Sequence, residues 1–202
     1  MSDFTIRKMV ESDVSNVSFI HIKAFKNFFL TSLGKGFLET YYSACLKHQH
    51  TIAFCAEDLQ GNLVGFATGS SWAKGYHRSI FMNNIFSFLT SLAVSIVKKP
   101  PILIRLFKNL EKNKHKYDMG EYAELLSIGV NPDYKGGGVG RELLTVFHDE
   151  VRKRGGVKVA LTTDKLNNDP VLAFYAKAGY ETFYEFTTYP KREMYKLMAI
   201  ID

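Results

Sequence analysis

Two hydrophobic periods alternate along the chain, and the sharpest change between them falls past its middle. The run AELLSIGV from Ala123 to Val130 reads as a β-strand, Asn131-Pro132-Asp133 as a turn, and the stretch from Val139 as a helix. In that helix Val139, Leu143, Leu144, Phe147 and Val151 repeat at the 3.6-residue spacing of one buried face. Arg152, Lys153 and Arg154 occupy its last turn, with Gly155-Gly156 beyond, where cations and a left-handed residue satisfy free carbonyls. Upstream, Phe4 to Val10 alternates as a half-buried strand. Ser12 offers an N-cap, with Asp13 in the first turn, for a helix to about Lys26. A second helix is predicted from Leu33 to His48, in a segment rich in aromatics (Phe28, Phe29, Phe37, Tyr41, Tyr42). Strands at 51–57 and 63–69 flank Asp58 to Asn62, which has hairpin-turn chemistry, and Gly65 stands where a bulge would fall. Downstream, Val157 to Thr163 gives a fifth strand. Asp169 caps a helix with Pro170 at its first position and Gly179 past its end, and 180–188 and 192–200 form a closing hairpin.

The central helix opens with Lys135-Gly136-Gly137-Gly138-Val139-Gly140. The first N–H groups of a helix lack backbone partners, the positive end of the macrodipole lies there, and glycine puts no Cβ in the way. The loop is either an anion cradle, best suited to a phosphate, or a Gly-rich βα turn without a ligand. A Walker loop requires Gly-Lys-Ser/Thr, whereas Gly138 is followed by Val139, Gly140 and Arg141. A dinucleotide fingerprint fails at Leu143, where its third glycine would stand.

What remains resembles the Q/R-x-x-G-x-G/A pyrophosphate loop of the GNAT superfamily of acyl-CoA N-acyltransferases, with Lys135 in the Gln/Arg place. Lysine keeps the charge there but loses the planar fork. The stretch from Asn168 to Tyr180 is similar to that family's N-x-x-A-x-x-F-Y-x-K-x-G-F segment, with Val171 for the first alanine and Tyr180 for the last phenylalanine. The likeness covers Glu121 to about Phe186 well and the first seventy residues loosely. It is weak or absent from Trp72 to Asp118. It implies an α/β (α+β) fold: a mixed, mostly antiparallel sheet of about seven strands flanked by helices, with a helical insertion between the third and fourth strands. The whole chain, 1–202, would then be one domain with its insertion at about 72–118.

The insertion carries the charge. The chain's formal net charge is +6. From Trp72 to Asp118 nine Lys/Arg face two acids, so the remainder is nearly neutral. Within it, Ser79 to Val97 holds no charged residue. Asn83, Ser87, Ser91 and Ser95 recur every four positions, while Phe81, Ile85, Phe88, Leu89, Leu92 and Ile96 take other faces. That pattern predicts an amphipathic helix packed on protein, not a transmembrane span. Pro100-Pro101 breaks it before a basic amphipathic helix. A lid over the acceptor, a dimer surface, a peripheral membrane contact through 79–116, and a plainly packing insertion all fit. No nucleic-acid motif accompanies the basicity. The histidines form no metal-binding pattern, and Cys45 and Cys55 lack ligand spacing, so no metal is expected and a reduced, cytoplasmic protein is the default. The N-terminus has no apolar signal core. Hydrophobic content of 46% suffices for a substantial core.

The resemblance also implies a chemistry. Acetyl-CoA would be the acyl donor and a primary amine of a small metabolite the acceptor, with an amino sugar or sugar nucleotide as the favoured class. Ile128 and Val130 would present backbone groups to the donor's pantetheine arm, and Gly129 would permit the bulge that splays the sheet. Lys135, Gly136, Gly137, Gly138, Val139, Gly140 and Arg141 would meet its phosphates, and Asn168 its arm. Glu124 stands in the place of a general base, and Tyr175 in that of the tyrosine beside the sulfur, both catalytic. The aromatics of the first helix pair would border the acceptor pocket or fill the core. The competing reading is a non-catalytic acyl-CoA-binding module whose insertion contacts a partner or membrane surface. A monomer and a homodimer are both consistent with the sequence.

Overall fold

A computed structural model describes residues 3–26, 28–98, 118–134 and 137–201, with backbone alone for 93–98. Seven strands form one sheet: β1 (Phe4–Lys8), β2 (Thr51–Asp58), β3 (Leu63–Ser70), β4 (Ala123–Val130), β5 (Lys158–Asp164), β6 (Glu181–Thr188) and β7 (Arg192–Ile200). Their order is β1-β2-β3-β4-β5-β7-β6. Only β4 and β5 run parallel; every other neighbouring pair is antiparallel. The mixed, mostly antiparallel sheet expected from the sequence is thus present.

Strand alternation feeds two cores on opposite faces. Phe54, Ala56 and Ala67 point to one, where α6 (Val139–Lys153) and α7 (Asp169–Lys177) pack. Cys55 and Phe66 point to the other, beneath α1 (Val14–Ala24), α2 (Phe29–Ser32) and α3 (Lys35–Leu46). All five periodic residues of α6 are buried. Cys45 and Cys55 are wholly enclosed in the second core, and burial pushes both thiols up to about 12.

Several local expectations shift. Ser12 is not the cap of α1. A 3-10 turn, Glu11–Asp13, precedes that helix, and Asp13 accepts the Val10 N–H at 2.9 Å and a fork from Arg7 at 2.7 and 2.9 Å. The Arg7 guanidinium holds this carboxyl below its ordinary range. The bulge in β3 falls at Val64, beside Gly65, because Ala56 faces Gly65 while Glu57 faces Leu63. The predicted helix at 33–48 is found as α3, two residues shorter at each end, and Gly34, whose φ is 89°, separates it from the short α2 before it. Asn168, not Asp169, stands at the N-cap of α7.

Between β3 and β4 the uncharged stretch forms α4 (Tyr76–Asn83) and α5 (Ile85–Lys98), not one helix. Asn84 interrupts it, its side chain donating back to the Ile80 carbonyl at 2.9 Å. Ile80, Phe88 and Leu92 are buried, whereas Ile85, Phe86 and Leu89 are exposed. Pro100-Pro101 and the basic helix expected after them lie outside the described residues. Among those residues no helix is long and apolar enough to cross a membrane.

Candidate active site

The site begins where two parallel strands part. β4 pairs with β5 only at Ala123, Glu124 and Leu125, opposite Val159, Ala160 and Leu161. Beyond Leu125, β5 continues against β7 as far as Asp164, while β4 continues against β3 as far as Val130. A wedge therefore opens between them. The irregularity in β4 lies at Leu126, since Thr68 faces Ser127 while Gly69 faces Leu125. The extra residue bends the strand out of its ladder. This corrects the expectation for Gly129, which pairs regularly with Phe66. Its missing Cβ instead admits two rings, Phe66 and Phe25, which an added Cβ would meet at 3.0 and 3.1 Å.

Hydrogen-bond alternation then decides which backbone groups face the wedge. The Asn131 N–H donates to the Val64 carbonyl at 2.8 Å, so Asn131 and, two residues earlier, Gly129 address β3. Ile128 and Val130 must therefore turn their N–H and C=O groups the other way, where β5 no longer pairs. A free strand edge of this kind accepts an extended ligand as a substitute strand.

At the mouth of the wedge, β4 runs through Asn131 to Tyr134 into the N-terminus of α6. Gly138 is its N-cap with φ 87°, a conformation that favours glycine, and an added Cβ at Gly137 or Gly138 would meet only open space. Gly137, Gly138, Val139, Gly140 and Arg141 are thus gathered at one helix start. Lys135 and Gly136 lie outside the described residues. An anion with several oxygens fits this cradle of amides and positive dipole.

Two candidate catalytic residues approach from opposite faces. Glu124 lies on the last paired rungs of β4, its carboxylate engaged by the buried Lys196 ammonium of β7 and 3.9 Å from His77 Nε2. Lys196 also lies over the Tyr122 ring, and Asp118 accepts hydrogen bonds from Tyr122 at 2.8 Å and Tyr184 at 2.6 Å. Tyr175, on α7, is buried against Phe174 and Tyr180, and burial pushes its phenol well above the ordinary value. It is consequently a hydrogen-bond donor, not a source of protons. Asn168 spends both amide hydrogens within the protein, on Thr163 Oγ1 and the Asp164 carbonyl, each at 2.8 Å. Only its side-chain oxygen is left for a ligand.

On the face away from α6 and α7, a cavity of about 540 Å³ opens over the same strand ends. Phe25 and Phe28 from the α1–α2 loop, Asp164 and Leu166 after β5, and Lys191 to Glu193 at the β6–β7 turn line it. Arg192 stacks on Phe28 at 4.3 Å and forks onto Asp164. Of Phe28, Phe29, Phe37, Tyr41 and Tyr42, Phe28 lines this cleft. Phe37, Tyr41 and Tyr42 are core residues, and Phe29 packs beside them. No periodicity pointed to Lys196, Asp164 or the lysines of the cleft, because each meets its neighbours only through the fold.

Comparison with known proteins agrees with this geometry. Residues 103–180 match the acetyltransferase (GNAT) family. A mycothiol acetyltransferase of Saccharomonospora viridis is 34% identical over 70 residues, which span 35% of this chain and 22% of that protein. The ribosomal-protein-S18-alanine N-acetyltransferase of Escherichia coli superposes with a TM-score of 0.62 at 18% identity, over 98% of this chain and 94% of its own. An acetyltransferase structure from Salmonella typhimurium with its cofactor acetyl-CoA gives 0.63 at 14% identity, over 100% and 95%. The segment from 103 to 180 is thus similar to the acetyltransferase (GNAT) family, and the sheet around it has the fold of these acetyltransferase structures.

Proposed function

We propose that the chain is one catalytic domain that transfers an acetyl group from acetyl-CoA to a primary amine of a small metabolite, an amino sugar or sugar nucleotide being the favoured class. The observation that carries this reading is the wedge between β4 and β5, with Ile128 and Val130 turned into it and a helix N-terminus at its mouth. A strand-like arm ending in phosphates fits both features at once. When bound, the donor supplies an acetyl group activated as a thioester.

The chain's own groups do the rest. The amides from Gly136 to Gly140 hold the diphosphate, with Arg141 and Lys135 adding charge. Ile128 and Val130 hydrogen-bond the arm, and Asn168 meets it with its remaining oxygen. An ordinary alkylamine, with a pKa of ~8 or above, arrives protonated and must lose that proton before attack. Glu124 receives it, directly or through water. The ammonium of Lys196 fixes the carboxylate's direction. Tyr175 steadies the departing sulfur by hydrogen bonding. The two reactants are held close from opposite faces of one sheet, which supplies proximity.

Thiol release from acetyl-CoA across a panel of amines, followed in the parent chain and in Glu124→Gln and Tyr175→Phe, tests the assignment. Turnover should fall by roughly 10²-fold or more in Glu124→Gln, while calorimetry still registers coenzyme binding. A parent chain that binds acetyl-CoA yet acetylates no amine is a binding module instead.

A further inference from the structure

The cleft on the acceptor face has a charge pattern that the reaction alone does not require. Its walls carry Lys23, Lys26, Lys191 and Arg192 against Asp164 and Glu193. Most of these charges are already matched. Arg192 forks onto Asp164, Lys23 pairs with Asp133, and Glu193 lies 3.5 Å from Lys165. Among the described residues Lys26 and Lys191 form no ion pair. One lies in the α1–α2 loop and the other in the β6–β7 turn. Lys191 also holds a φ of 88°, a left-handed conformation that few side chains other than Asn or Asp adopt readily.

We propose that this cleft selects amine acceptors that also carry an anionic group, a phosphate or a carboxylate, and that Lys26 and Lys191 are the residues that select them. The inference rests on the acetyltransferase reading and adds the acceptor's charge to it. Asp164 is neutralised by Arg192 and Glu193 shares Lys165 with Glu185, so with four cations against two acids along its lining the cleft keeps a positive field. A cavity of about 540 Å³ exceeds what a bare alkylamine fills and leaves room for a sugar-sized body bearing a charged substituent. The Phe25–Phe28 pair, with centroids 5.1 Å apart, offers that body an apolar wall. Lysine suits the task because an ammonium on a flexible stem meets a phosphate or a carboxylate without demanding one planar geometry.

The test compares glucosamine, glucosamine 6-phosphate and muramic acid as acceptors, in the parent chain and in the double variant Lys26→Gln/Lys191→Gln. In the parent, kcat/KM for at least one anionic sugar should exceed that for glucosamine by tenfold or more, and added salt should shrink the gap. The phosphate and carboxylate arms tell which group is taken. In the double variant the anionic-to-neutral ratio should collapse toward one. Should the variant fail to fold, inorganic phosphate tested on the parent replaces it, with competitive inhibition against glucosamine as the expected result. A parent ratio near one, an equal loss for charged and uncharged acceptors, or no competition by phosphate overturns the inference while leaving the acetyltransferase intact. Absence of both coenzyme binding and turnover would instead remove the reading beneath it.

Discussion

At the scale of single residues, buried histidines tie stability to pH. His21 donates to or accepts from Tyr42 at 2.6 Å, and His148 does the same with Tyr180 at 2.8 Å. Burial lowers both to about 4, with Arg152 adding repulsion at His148. A histidine whose native value lies below its unfolded value of ~6.5 resists protonation only while folded. The unfolded chain therefore binds the extra proton first. Stability is complete above pH ~6.5 and falls as pH drops toward 4, by about 3 kcal/mol for each ring. Asp13, held low by Arg7, adds its own loss only at more acidic pH. Urea midpoints between pH 7 and 4 should show the decline, and His148→Gln should lose about half of it. An unaltered slope in that variant would mean the ring is not the titrating group.

Among elements, α6 and the α4–α5 pair show what a sequence discloses. In α6, polar residues separate the apolar ones, so the period names the buried face, and Val139, Leu143, Leu144, Phe147 and Val151 all lie on it. Between Arg78 and Lys98 no charge marks an outer face of α4 or α5, so serine spacing alone could not foresee Asn84 as a break or Phe86 as exposed. The glycine loop at the start of α6 was legible because glycine spacing is local. The ion pair of Glu124 with Lys196 joins residues 72 apart, and no local pattern reaches that far. The α6 entrance also gives a contrast between two of its glycines. Gly138, at φ 87°, should lose about 1 kcal/mol on change to alanine. Gly140 is inside the helix, with no neighbour nearer than 3.9 Å to an added Cβ, so alanine should stabilise there by about 0.5 kcal/mol. Melting temperatures should move a few degrees down and one or two degrees up respectively. Movement in the same direction would contradict the backbone described for this turn.

For the molecule as a whole, the two cores are inseparable. Cys55 and Phe66 feed one, while their strand neighbours Phe54, Ala56 and Ala67 feed the other, so neither layer can melt without dismantling β2 and β3. Unfolding in urea should be a single transition, with the fluorescence of Trp72 and far-UV circular dichroism giving the same midpoint. Two separated midpoints would divide the chain into independent units. The sheet's order and its one parallel pair were foreseeable only through the family resemblance, since pairing partners lie far apart in sequence. The enclosure of Cys45 and Cys55 has a consequence at this same scale. With thiols raised to about 12, fewer than roughly one in ten thousand is ionised at neutral pH, and neither meets solvent. In the proposed reaction, which consumes a thioester and liberates a free mercaptan, neither cysteine then competes as a nucleophile. On that reading the two thiols neither take up the acyl group nor trap the product as a mixed disulfide.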